Sequence, residues 1–265
     1  MTRRLRHPRL LPSLCLALLM FCGQAPTHAQ QPGTLPATPA TPQNQPTSIG
    51  TGFVVANGYV LTALHVVLNN DLILVGPTAE KKWLKAELIK SDLASDLALL
   101  AVSFNATPLP LASWKDVPVG LEVTTIGYPQ PRLQGLSKKI TQGIINGNRT
   151  DRNESINAEY FQYSAETSVG NSGGPLIAPD GLVIGMTQSK LNALGAAQKT
   201  NDLAINVSYG LKSSKLINFL EQSPAAPTIQ NLSLSTVLRP YQLYEKTQAS
   251  VVAVLARKAP AGSAP

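Results

Sequence analysis

Cysteine and histidine are nearly missing from this sequence. Its 265 residues include two cysteines, Cys15 and Cys22, and three histidines, His7, His28 and His65. All but His65 fall within the first 29 residues. That stretch carries four arginines (Arg3, Arg4, Arg6, Arg9), an apolar run from Leu10 to Cys22 and small residues ending at Thr27-His28-Ala29. This is the layout of a secretory signal peptide spanning 1–29, with release expected after Ala29. Without it, disulfides are excluded even though an exported compartment would permit them. A zinc centre is excluded as well, because one imidazole cannot supply three or four ligands. No metal and no cofactor is expected. The apolar run falls short of the ~20 residues of a spanning helix, so no stable membrane span is expected once the leader is cleaved.

Excess charge is the second absence. The formal net charge of +7 comes from 22 basic and 15 acidic residues. The leader takes four of the positive charges, and residues 30–221 hold 14 basic and 14 acidic groups. A neutral body lacks the clustered Lys and Arg that nucleic acid or an anionic membrane surface requires. No nucleic-acid partner is expected.

What is present divides the chain into segments. Residues 30–47 contain five prolines and no charged residue, and read as an extended linker. Residues 48–221 are rich in short β-branched and alternating runs. Phe53-Val54-Val55 and Tyr59-Val60-Leu61 flank Asn57-Gly58, a hairpin signal because both turn residues tolerate positive φ. Further strands are expected at Leu72–Val75, Trp83–Lys90, Asp96–Val102, Leu121–Gly127, Ile140–Ile145 and Tyr160–Ser164, with a hairpin of Leu176-Ile177 and Leu182–Met186 around Pro179-Asp180-Gly181. One helix is expected at Leu211–Glu221, with Leu216, Ile217 and Leu220 on one side. Many short strands with turn chemistry between them indicate an all-β sandwich or barrel.

Gly170-Asn171-Ser172-Gly173-Gly174-Pro175 is the sharpest local feature. Glycines on both sides of a serine allow a tight turn whose N–H groups converge on a carbonyl oxygen, as an oxyanion hole requires. A glycine-rich β-turn that happens to hold a serine would read the same way. The nucleophile elbow of α/β-hydrolases also matches, but its order is Ser, acid, His, and no histidine follows Ser172. The order left is His65, Asp96, Ser172. Taken alone, a histidine between Leu64 and Val66 is more often packed than catalytic. Asp96 opens an apolar strand, where a carboxylate next to the core needs a partner such as an imidazole N–H.

Four segments carry a family resemblance: Gly50-Thr51-Gly52-Phe53-Val54-Val55, Gly58-Tyr59-Val60-Leu61-Thr62 with His65-Val66-Val67, Ser95-Asp96-Leu97-Ala98-Leu99-Leu100, and Gly170-Asn171-Ser172-Gly173-Gly174-Pro175-Leu176. In this order, with 31 residues from His65 to Asp96 and 76 from Asp96 to Ser172, residues 48–221 resemble the trypsin-like serine peptidases of the HtrA type. The resemblance implies two six-stranded β-barrels with the site between them and a C-terminal helix. It implies Ser172 as nucleophile, His65 as general base and acid, and Asp96 as the group orienting the imidazole. Gly170, Asn171 and Ser172 would supply the oxyanion hole. The expected function is an exported serine endopeptidase, periplasmic or secreted, acting on protein or peptide substrates. Two alternatives stay open: a proteolytically silent protease-like fold that binds unfolded chains or a partner, and a non-peptidase serine esterase.

Specificity and the tail read less directly. Glu166, six residues before Ser172, stands where trypsin-like enzymes place the base of the S1 pocket; the alternative is an uncharged pocket shaped by Met186, Thr187 and Ala204. HtrA-type members carry PDZ domains after the protease, and the 44 residues of 222–265 are too few for one. Leu243–Leu255 instead resembles the helix-to-strand segment, ending in Ser-Val-Val, that in the family precedes the Gly-x-Gly-Phe strand. The expectation is that this tail folds back to give the first barrel its missing strand; a vestige of a truncated tandem domain is the alternative.

Overall fold

A computed structural model describes residues 48–77, 82–148, 159–190 and 208–258. The expected leader (1–29), the linker (30–47) and Ala204 lie outside the described residues.

Two antiparallel six-stranded barrels make up the described chain. The first uses β1 (Ser48–Ala56), β2 (Tyr59–Ala63), β3 (Leu72–Gly76), β4 (Leu84–Asp92), β5 (Leu97–Val102) and a strand from the far end of the chain, closing in the order β1, C-terminal strand, β3, β4, β5, β2. Asn57-Gly58 turns β1 into β2 as expected, with Gly58 at φ +77. Phe53, Leu61, Leu97, Leu99 and Leu100 are fully buried. Each contributes about 1.5–3 kcal/mol relative to an exposed position.

The chain then adds β6 (Leu111–Ala112), β7 (Glu122–Gly127), β8 (Lys139–Asn148), β9 (Tyr160–Tyr163), β10 (Pro175–Ile177), β11 (Val183–Lys190) and β12 (Ser208–Lys212). The second barrel runs β7, β8, β9, β12, β11, β10 and closes where β10 returns to β7. Phe161 anchors its core, with its ring 4.8 Å from Trp114 and 6.0 Å from Tyr163. A separate apolar cluster runs from the first barrel onto Ile126, Ile177, Met186 and Leu211 of the second.

Among the described residues four α-helices decorate the strands: α1 (Leu64–Val67), α2 (Pro131–Gln134), α3 (Ser213–Leu220) and α4 (Pro240–Thr247). The helix expected to begin at Leu211 begins at Ser213, because Leu211 stays in β12, paired with Met186 on one side and Tyr160 on the other. α4 starts with Pro240, whose fixed φ suits the first turn, and Gln242 Oε1 accepts the Arg239 N–H at 2.9 Å.

From α3 the chain passes across the second barrel, where β13 (Ile229–Gln230) pairs in parallel with β6. Asp180, in the turn between β10 and β11, accepts from Ser233 N at 2.8 Å, and Pro179 O accepts from Leu238 N at 2.8 Å. After α4, Ser250 Oγ donates to Thr107 O at 2.5 Å. The last strand, β14 (Val251–Arg257), then enters the first barrel. It pairs antiparallel with β1, from Ser48 opposite Ala256 to Phe53 opposite Val251, and with β3, from Gly76 opposite Ala253 to Leu72 opposite Arg257. Val251 to Val254 are buried.

Two outcomes follow. Truncation after Glu221 removes β14 and bares two strand edges, so the shortened chain is expected to lose cooperative thermal unfolding or to aggregate. A truncated chain melting within about 4 °C of the full one, roughly a 1 kcal/mol effect, would mean the barrel stands without β14. The second concerns Lys138, whose Nζ donates to Gln248 O. Burial lowers its pKa to about 8. A lysine with a depressed folded pKa binds fewer protons folded than unfolded, so its destabilising contribution is full below the folded pKa and fades as pH rises toward the ordinary lysine value. The melting temperature of wild type relative to Lys138→Met should therefore rise between about pH 7 and pH 9.5. A gap that does not move with pH would contradict this.

Candidate active site

His65 sits on α1, the single turn that follows β2 at the rim of the first barrel. Asp96 occupies the last position of the turn before β5, at φ +53, a left-handed conformation that aspartate tolerates better than most residues. That geometry departs from the expectation of a carboxylate in the strand beside the core. The turn lifts the side chain to the rim, where it keeps 29% exposure against 50% for His65. Asp96 Oδ2 lies 2.6 Å from His65 Nδ1, and Oδ1 accepts the His65 backbone N–H at 2.7 Å. The main chain adds a third tie, Leu64 N to Asp96 O at 3.0 Å. Both carboxylate oxygens are thus spent on one residue, and a carboxylate facing Nδ1 favours the tautomer with its proton there and Nε2 free.

Ser172 comes from the second barrel, in the loop between β9 and β10. Asn171 N donates to Ser168 O at 3.0 Å, and Gly170 at φ +101 makes this a type II turn. A Cβ at Gly170 would come within 2.1 Å of Tyr128 O. Gly173, at φ +84, is equally constrained, since a Cβ there would meet Thr51 O at 2.3 Å. Of the three expected oxyanion donors, Asn171 is corrected: its N–H is spent closing the turn. Among the described residues the N–H groups of Gly170 and Ser172 donate no hydrogen bond within the protein.

Sequence reasoning missed Thr51. This fully buried β1 residue donates from Oγ1 to Gly170 O at 2.6 Å and from N to Ser172 O at 2.9 Å. Its Oγ1 also accepts from Tyr128 N at 3.1 Å. The first barrel therefore grips the serine loop of the second directly. The only signal in the sequence was its setting between Gly50 and Gly52.

His65 and Ser172 line one recess of about 650 Å³, together with Ile49, Val66, Leu133 and Val169. Leu133 and Val169 are large apolar side chains left 83% and 80% exposed beside it. The Ser172 hydroxyl donates to Gln188 O at 3.1 Å rather than to the His65 ring.

Of the expected specificity residues, the three that are described, Glu166, Met186 and Thr187, do not line this recess. Glu166 is exposed and lines a separate recess of about 260 Å³ with Lys139 and Thr141, its carbonyl accepting from Thr141 Oγ1 at 2.7 Å. Met186 is fully buried in the apolar cluster. Thr187 is spent internally, exchanging backbone hydrogen bonds with Gly173 and Gly174 at 2.8 Å and taking the Tyr163 hydroxyl at 3.3 Å. Among the described residues no group of three or more His, Cys, Asp and Glu could hold a metal, and no helix is long and apolar enough to cross a membrane.

Comparison with known proteins bears on the family and the fold. The profile of the trypsin-like peptidase domain matches residues 50–186, just over half of the chain. A protein of Pseudomonas fluorescens named "Probable periplasmic serine endoprotease DegP-like" is 35% identical over 179 residues, 64% of this chain and 36% of its own length. One of the same name from Pseudomonas fulva is 30% identical over 214 residues, 78% of this chain and 42% of its own. The chain thus spans well under half the length of these relatives. Among solved structures, the serine endoprotease from Yersinia pestis superposes with a TM-score of 0.52 at 25% identity, over 65% of this chain and 56% of that one. With a matching domain profile, a double barrel and a histidine, an aspartate and a serine gathered at the seam, the chain belongs to the trypsin-like peptidase family.

Proposed function

We propose that the chain is an exported serine endopeptidase that hydrolyses peptide bonds in proteins, working in the periplasm or outside the cell. The observation that carries this reading is the 2.6 Å His65–Asp96 pair facing a recess shared with Ser172, beside two unengaged backbone N–H groups. The names of the relatives support the compartment and the class of bond.

The reaction divides into two displacements. Ser172 Oγ turns from Gln188 O toward His65, gives its proton to Nε2 and attacks the scissile carbonyl carbon. The oxyanion that forms is held by the N–H groups of Gly170 and Ser172, each such donor contributing about 2.7–4 kcal/mol in a related setting. Asp96 stabilises the imidazolium without accepting its proton. His65 then protonates the leaving amine as the C–N bond breaks, which leaves an acyl ester on Ser172. Water, deprotonated by His65, attacks that ester; the C–O bond to Ser172 breaks and the hydroxyl regains its proton.

A second reading draws on one specific observation. The Ser172 hydroxyl donates to Gln188 O, so in this arrangement His65 does not hold its proton. A site that stays so would bind chains without cutting them, and a site that waits for a ligand to reorder it would be latent.

Labelling with a fluorophosphonate probe separates the readings. The full chain is expected to label, Ser172→Ala to remain unlabelled, and casein to be cleaved only by the former. Absence of Ser172-dependent label and of casein cleavage would leave binding alone; label with ester turnover but intact casein would point to an esterase. Gly170→Ala should test the oxyanion assignment, since the added methyl group cannot coexist with the type II turn. Its labelling rate is expected to fall about 10²–10³-fold while the barrels still melt cooperatively. Labelling at the wild-type rate would remove Gly170 from the site.

A further inference from the structure

Gln188 joins the two halves of the site from behind. The residue is 5% exposed. Nε2 donates to Ser95 O at 3.1 Å and lies 3.5 Å from Asp96 O, while its main-chain oxygen accepts the Ser172 hydroxyl. One residue of the second barrel is therefore bonded to the serine through its backbone and to the aspartate turn of the first barrel through its amide.

The backbone explains how the side chain gets there. The β11–β12 register shifts between Thr187 and Ser189, which leaves Gln188 at a bulge. A bulge turns its extra residue out of the pleat and re-aims the side chain. The turn it reaches also needs support. Asp96 is held at φ +53, in the left-handed region that most residues with a Cβ avoid. Ser95 is 1% exposed, so its carbonyl depends on a protein donor.

We propose that Gln188 is a positioning residue: its amide, bonded across the barrel boundary to the Ser95 and Asp96 carbonyls, sets where the His65–Asp96 pair stands relative to Ser172. The inference rests on the peptidase reading above. Gln188 acts through Asp96, and its side chain touches no reacting atom. Because every substitution keeps the main-chain oxygen on Ser172, side-chain variants isolate the amide.

Two variants test it, read by the rate at which a fluorophosphonate probe labels Ser172 across about pH 5.5–9. Gln188→Met keeps the length and removes both donors; its labelling rate is expected to fall at least about tenfold across the range while thermal unfolding stays cooperative. Gln188→Glu offers a donor only while its carboxyl is protonated, and burial opposite two carbonyl oxygens raises that group's pKa. The ionisable groups on the segments Gln188 bonds to are Asp96, its partner His65, and Asp92, which hydrogen-bonds the Ser95 and Ala94 backbone. All three are present in wild type and variant, so the ratio of variant to wild-type rate reports the introduced carboxyl. That ratio is expected to fall as pH rises.

A Gln188→Met protein labelling within about twofold of wild type would overturn the proposal, as would a pH-independent ratio for Gln188→Glu. If Gln188→Met does not fold, the Gln188→Glu ratio decides, since its pH course is read within one protein. Wild type that fails to label at Ser172 would instead overturn the peptidase reading, and this role with it.

Discussion

The antiparallel pairing of β14 with β1 is the contact on which the rest of the structure depends. β1 carries Thr51, opposite Ala253 of β14, and Thr51 holds the serine loop through Gly170 O and Ser172 O. Barrel closure, strand position and the seat of Ser172 thus form one line of hydrogen bonds. A sheet with an open edge offers unpaired N–H and C=O groups to any passing strand, and closure removes that edge only once the last described strand is in place. The His65–Asp96 half of the site hangs on the same barrel, through β2 and β5, which pair with each other from Tyr59 opposite Ala101 to Ala63 opposite Leu97.

Much of this was legible in the residues, and unevenly for physical reasons. The Asn57-Gly58 hairpin and the glycine turn around Ser172 were readable because their conformations are dictated locally: positive φ at Gly58 and Gly170 leaves few residue choices. His65, Asp96 and Ser172 could be paired through motif order; Asp96 bonds His65, and His65 and Ser172 line one recess while the serine hydroxyl bonds Gln188 O. The residues that shape the surroundings were harder to read. Met186 faces inward and Thr187 is spent on the glycine turn because β11 lies between β10 and β12, a neighbour relation that sequence distance does not encode. Thr51 was missed because a buried threonine in a strand looks like ordinary β-propensity; only the loop arriving from a residue 119 positions away makes it a clamp. The start of α3 was misplaced by two residues for a similar reason, since Leu211 satisfies both a helical stripe and a ladder, and the ladder had partners on two sides.

A site divided between two barrels raises a question that a site on one element does not: what fixes one half relative to the other. Apolar contact across Ile126, Ile177, Met186 and Leu211 supplies adhesion, but it is non-directional and tolerates sliding. Directional ties are needed, and two are found at the seam. Thr51 reaches from the first barrel to the serine loop, and Gln188 reaches from the second barrel to the aspartate turn. They run in opposite directions and flank the seam between the barrels, so a slide that lengthens either one is resisted by a buried hydrogen bond. Each is worth only about 0.5–1.5 kcal/mol when made, but leaving its buried partner unpaired costs about 1–3 kcal/mol.

That asymmetry bears on how the site is kept ready. Asp96 spends both carboxylate oxygens on His65, and the turn that carries it sits in a left-handed conformation. Asp92 Oδ1 ties the turn's own backbone by accepting the Ala94 N–H at 3.0 Å, while the carbonyls of Ser95 and Asp96 are met from outside, by Gln188 and by Leu64 N. The orientation of the imidazole is therefore set by groups two steps removed from the chemistry, on both barrels at once. A displacement of either barrel is converted into a change in the His65–Ser172 separation, and the proposed proton transfer between them tolerates little such change. The same linkage makes the site sensitive to whatever steadies or loosens β14, because β14 holds β1 and β1 holds the loop on which Ser172 stands.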